Sequence, residues 1–78
     1  GINDGSIVFI RQQSDVVNGQ IAAVAIGDEA TLKRVYKTNN TIILNAENPA
    51  YPPIIIEKGN ADNIRILGLA IVYQSIVK

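Results

Sequence analysis

The apolar residues of this chain are grouped in short runs of isoleucine, valine, alanine and leucine, and each run is cut by Gly, Asn, Asp or Pro. Such punctuation, with abundant β-branched residues and few aromatics, predicts many short strands in place of helices. The chain therefore reads as mostly β. A first strand is expected over 6–11, entered from a turn at Asn3-Asp4-Gly5, and Asn18-Gly19 marks the next turn. Residues 20–26 are nearly all aliphatic or alanine, as expected for a strand covered on both faces. A three-residue connection, Gly27-Asp28-Glu29, predicts a hairpin that pairs 20–26 with 30–37. Thr38-Asn39-Asn40 separates this hairpin from a third antiparallel neighbour over 41–44.

Downstream the pattern changes. The run Asn48-Pro49-Ala50-Tyr51-Pro52-Pro53 lacks three backbone donors and reads as loop or extended chain. A strand resumes over 54–57, and 59–63 form a further connection. The segment 64–76 is a last apolar strand in which Gly68 marks a bulge or bend. No internal repeat is visible.

Seventy-eight residues allow one domain over 1–78 with a core worth only a few kcal/mol. There is no cysteine and no histidine, so neither a disulfide nor a zinc cluster is expected, and no metal or cofactor is called for. Seven basic and seven acidic residues cancel and are scattered, which gives no footprint for a phosphate backbone. The longest apolar runs are far short of a spanning helix, and no signal-peptide pattern opens the chain, so no membrane contact and a cytoplasmic location are expected. The chain also holds no methionine, so Gly1 is not expected to be a natural start.

Among residues able to carry chemistry, Lys33 stands out. In the strand over 30–37, Thr31, Lys33, Val35 and Lys37 share one face, while Leu32, Arg34 and Tyr36 share the other. A lysine acts as a general base only when neutral, and aliphatic neighbours such as Val35 favour that form by desolvation. The Thr31 hydroxyl on the same face is able to hold the amine in position. Beside a serine hydroxyl, this makes the serine-lysine form of an activated nucleophile. The ordinary alternative is a solvated lysine guarding the surface of a binding module.

Other candidates carry less. Asp4 and Asp28 occupy turn positions that favour aspartate, and with Glu29 and Glu47 they need not be paired catalytic carboxylates. Ser14 and Ser75 have no histidine partner and no nucleophile elbow. Gly27, Gly59 and Gly68 do not build a phosphate loop. Tyr51 between prolines is better placed to pack a loop onto the sheet than to line a groove.

The blocks Gly1-Ile2-Asn3-Asp4-Gly5, Asn18-Gly19-Gln20, Asp28-Glu29-Ala30-Thr31-Leu32-Lys33-Arg34, Glu47-Asn48-Pro49-Ala50-Tyr51 and Ile66-Leu67-Gly68 carry a further signal through their order and spacing. Together they resemble the peptidase domain of the LexA, UmuD and phage-repressor group of self-cleaving proteins. The resemblance implies a β-rich fold of the LexA and signal-peptidase kind, truncated at its N-terminal side. It makes Lys33 the general base and Thr31 its supporting neighbour, with the nucleophilic serine before the position matched by Gly1. It also implies self-cleavage in a DNA-damage response, stimulated by a RecA filament, with DNA bound through an N-terminal domain absent here. The fragment itself is then expected to be inactive. A homodimer is expected through the strand Ile66-Leu67-Gly68-Leu69-Ala70-Ile71-Val72-Tyr73, read as an apolar edge. A relative in the signal-peptidase direction is the other enzyme reading.

Overall fold

A computed structural model of the chain describes residues 6–74. The expected turn at Asn3-Asp4-Gly5, Ser75 and the end of the last expected strand lie outside these residues. Within them the sheet contains six strands: β1 (Ser6–Gln12), β2 (Ile21–Ile26), β3 (Glu29–Lys37), β4 (Thr41–Asn45), β5 (Ile54–Glu57) and β6 (Ile64–Gln74). They lie in the order β1-β6-β2-β3-β4-β5, and every neighbouring pair is antiparallel. The mostly β fold expected from the runs of β-branched residues is thus present.

Alternation along each strand sends one set of side chains to a common face. Ala22 and Val24 of β2, Val35 of β3 and Leu44 of β4 are fully buried there, and Val16 from the preceding loop joins them. Cross-strand register brings them together, with Val35 opposite Leu44 and Ile42 opposite Ile56. Ile26, Ile42, Ile56, Ile64, Ile66 and Leu69 pack around this centre. The other face has no comparable cover: Tyr36 and Ile10 are exposed, and Ile55 is 66% exposed. The expected two-sided burial of β2 holds in part. Its core face is closed, and on the other face Ala25 is buried while Ile21 and Ala23 are partly covered.

The hairpin between β2 and β3 is tighter than its sequence indicates. Glu29 pairs with Ile26, which leaves a two-residue turn of Gly27 and Asp28. Gly27 has φ of 57°, the left-handed position that a type II′ hairpin turn assigns to glycine. Its amide donates to Asn63 O at 3.0 Å, tying the turn to the connection before β6. That connection, Lys58–Asn63, forms short 3-10 turns broken at Asn60. Pro52 and Pro53 precede β5, which forms one edge of the sheet where missing donors are tolerated.

The irregularity expected at Gly68 is a bulge. Opposite β2, Ile66 aligns with Val24 and Gly68 with Ala23, so Leu67 is the extra residue. The extra residue changes the parity of the strand, which is why Ile64, Ile66 and Leu69 can all reach the same core. At Gly68 the β1 backbone also comes very close. A Cβ added there would collide with the Arg11 carbonyl oxygen and lie 2.7 Å from Ile10 Cγ2. Gly68→Ala is therefore expected to destabilise the domain by about 1–3 kcal/mol, read as a lower urea midpoint. An unchanged midpoint would show that β1 can move aside without cost.

Strand order also changes the status of the segment expected to be an edge. β6 lies between β1 and β2 and is paired on both sides at Gly68 and Leu69. Its pairing is staggered: the β2 ladder covers its first half and the β1 ladder its second. Open backbone on 66–73 is thus confined to half-sides, and the outer edges of the sheet are β1 and β5.

Candidate functional site

Lys33 lies in the middle of β3, where its register partner on β2 is the fully buried Ala22. Thr31 is opposite Val24, and Val35 is opposite Leu44. Because directly opposed residues project to the same side, Lys33 stands on the core face with Thr31 behind it and Val35 ahead. Its side chain is half-buried. Among the described residues its ammonium has no ion-pair partner, since both salt bridges are made by other cations. Thr31 is also half-buried on that face, with no hydrogen bond joining it to Lys33 among the described residues.

One step farther along the same face lies a largely apolar cavity of about 490 Å³. Val35, Ile42 and Leu44 form one wall, and Ile64 and Ile66 of β6 form another. Ser14, Asp15, Lys37 and Arg65 supply its polar margin. The floor is apolar because the cavity occupies the mouth of the hydrophobic core. Lys33 is not part of its lining but precedes Val35 on the same strand face, so an extended peptide crossing the cavity along β3 would pass the amine.

The loop 13–20 closes one side of this face and is held by polar contacts that local sequence patterns did not indicate. Asn18 pairs with the main chain of Lys37: Nδ2 donates to its carbonyl at 2.9 Å, and Oδ1 accepts its amide at 2.8 Å. Gly19 N donates to Val35 O at 2.9 Å, and Val35 N donates to Gln20 O at 3.0 Å. Gly19 has φ of 92°, a conformation open to glycine and strained for other residues. Asn18-Gly19 was legible as a turn, but its partner is 19 positions away and outside the reach of local patterns.

Lys37 Nζ forms an ion pair with Asp15, whose carboxylate also accepts the Val16 amide. The hydrogen bond from Lys37, followed by the one from Val16, lowers the Asp15 pKa below its ordinary value. A depressed carboxylate contributes stability above its unfolded pKa, near about 3.9, and loses it as pH falls through the folded value. Asp15 is largely exposed, so the contribution is at most about 1 kcal/mol. The wild-type and Asp15→Asn proteins should therefore differ in unfolding midpoint at neutral pH and converge well below pH about 4. A gap that persists in acid would assign the stabilisation to something other than this carboxylate.

On the opposite face, Arg34 forms a second cluster. Its Nη1 donates to Gly19 O at 2.6 Å, its Nε donates to Glu47 Oε1 at 3.1 Å, and Nη2 lies 3.0 Å from the same oxygen. Glu47 is thus the partner of an arginine. Asp28 and Glu29 occupy the hairpin turn and its first paired position, in keeping with their turn reading. Ser14 lines the cavity margin, and Tyr51 is exposed. Among the described residues no three acidic, histidine or cysteine side chains come together as a metal site, and no helix is long and apolar enough to cross a membrane.

Similarity to other proteins covers nearly all of this arrangement. The family profile described as Peptidase S24-like matches residues 1–71. The LexA repressor of Pasteurella multocida (strain Pm70) is 38% identical over 71 residues, which are 91% of this chain and 34% of that protein. The LexA repressor of Pectobacterium carotovorum subsp. carotovorum is 41% identical over 71 residues, 91% of this chain and 35% of its own length. That of Verminephrobacter eiseniae (strain EF01-2) is 34% identical over 77 residues, 99% of this chain and 34% of its own. The chain spans about a third of the length of these relatives. With a β-rich sheet and a matched segment that includes every residue of the Lys33 face described above, the chain belongs to the Peptidase S24-like family.

Proposed function

We propose that this chain is the peptidase and dimerisation region of a LexA-like repressor that cuts its own polypeptide by a serine-lysine dyad. Lys33 is the general base and Thr31 its neighbour on the same face. The carrying observation is the position of Lys33: half-buried, without a counter-ion among the described residues, and in line with an apolar cavity on the core face. A solvated guard lysine would instead sit on the uncovered face. In the reaction, the neutral amine takes the proton of a serine hydroxyl as its oxygen attacks a peptide carbonyl and returns that proton to the leaving amine; the same amine then deprotonates a water that hydrolyses the acyl-serine ester, freeing the second fragment and restoring the serine. The serine belongs to the part of the protein before Gly1, and the cut segment to the same polypeptide.

The wider role follows from the same reading: a cytoplasmic repressor of the DNA-damage response, binding DNA through an N-terminal domain, homodimeric, and stimulated to cleave by a RecA filament. The half-open sides of β6 within 66–73 are compatible with strand pairing between two copies. The test is incubation of the full-length protein at alkaline pH with intact-mass detection. Two complementary fragments are expected, while the 78-residue chain alone should yield none. A full-length protein that stays intact, or a short chain that cuts itself, would overturn the assignment.

A further inference from the structure

Lys33 lies where β3 loses a neighbour. Toward β2 its pairing is continuous from Glu29 to Arg34, but toward β4 the ladder begins only at Arg34, opposite Asn45. The half of β3 that carries Lys33 is consequently held from one side. At the first residue after Lys33, the Arg34 side chain takes over the lateral restraint. It spans from Gly19 O, in the loop before β2, to Glu47 Oε1, just beyond β4. One guanidinium thus fastens β3 to chain segments on both flanks, from the face opposite the base. Both partners are partly shielded, with side-chain exposures of 35% for Arg34 and 26% for Glu47, and the contact to Glu47 uses two nitrogens on one oxygen. A fork of this kind restricts orientation in a way that a single-point ammonium does not.

We propose that Arg34 and Glu47 are positioning residues for Lys33, fixing the height and twist of β3 at the base; this rests on the serine-lysine reading above. Neither residue touches reacting atoms. Their effect passes through the peptide between Arg34 and Lys33, because rotation of β3 about its axis would swing the amine across the core face. Displacement of a catalytic group by about 1 Å can cost about 10²-fold in rate.

The experiment measures first-order self-cleavage of the full-length protein from neutral to alkaline pH for wild type, Arg34→Gln, Arg34→Lys, Glu47→Gln and the Arg34→Gln/Glu47→Gln double variant. Lys33→Ala is the control, and melting is followed in parallel. Arg34→Gln should lower the alkaline plateau by about 10- to 100-fold, with the shape of the pH profile retained and the protein folded at the assay temperature. Arg34→Lys should rescue little, because one ammonium cannot span Gly19 O and Glu47 together. The double variant should be no slower than Arg34→Gln, since the pair acts as a unit. A wild-type plateau in Arg34→Gln, or a loss fully explained by its unfolded fraction, would overturn the proposal while leaving the dyad intact. An inert wild type, or a Lys33→Ala control that still cleaves, would instead refute the underlying reading and remove the reaction that Arg34 is proposed to serve.

Discussion

Full-length protein carrying Lys33→Ala is expected to stay folded and to lose alkaline self-cleavage by at least about 10²- to 10⁴-fold, the range associated with removing a general base. The two halves of this expectation rest on different features. Lys33 faces Ala22, is only half-buried and makes no ion pair among the described residues, so its removal breaks no satisfied contact. Loss of its half-buried aliphatic stem should lower the melting temperature only slightly. The chemistry, in contrast, has no substitute: Lys37, on the same face, is engaged by Asp15. Cleavage followed by intact mass, with melting measured on the same samples, separates the two effects. Undiminished cutting in a folded Lys33→Ala protein would eliminate Lys33 as the base and favour a non-catalytic dimerisation module.

Leu44→Ala is expected to have the largest effect on stability, about 2–5 kcal/mol. Leu44 is 1% exposed, faces the fully buried Val35 across the β3–β4 ladder and forms a wall of the cavity. Truncation would remove three carbons, one methine and two methyls, from a site where the backbone ladder limits collapse, and the void would merge with the existing cavity. Since a core of this size supplies only about 3–5 kcal/mol, most of the isolated chain should be unfolded at room temperature, as read by urea titration. Leu44→Met, which nearly conserves volume, should cost less than about 1.5 kcal/mol. A loss below about 1 kcal/mol in Leu44→Ala would mean that the cavity already decouples this side chain from the core.

The strands themselves were legible because their cause is local. Apolar and β-branched residues over 6–11, 30–37 and 41–44, cut by turn residues, fit a pleated, half-buried surface, Gly27-Asp28 fits a turn, and the prolines of 48–53 fit loop or extended chain. The errors arose where a local pattern has two meanings. Residues 20–26 read as covered on both faces because alanine fits either environment; only the register shows Ala22 in the core and Ala23 on the partly covered side. The segment 66–73 was apolar enough for an edge awaiting a partner, yet β1 and β2 already flank it.

The candidate base was also visible early, since period-two alternation alone placed Thr31, Lys33 and Val35 on one face, and the ordered blocks around them carried the family signal. Which side of the sheet that face would be is not encoded in β3. It follows from Leu44, Ala22 and the bulge at Leu67, which brings β6 into the same core. Nor did short-range pattern reveal that Asn18 would complete the main-chain bonds of Lys37, or that Arg34 would grip Gly19 and Glu47. Strand identity, turn positions and the set of residues that share a face with Lys33 were thus determined by the sequence, because backbone sterics and side-chain alternation act between near neighbours. Strand order, the cavity on the core face and the cation clamps were decided only by tertiary structure, because each depends on which distant segments meet when the apolar faces are buried together.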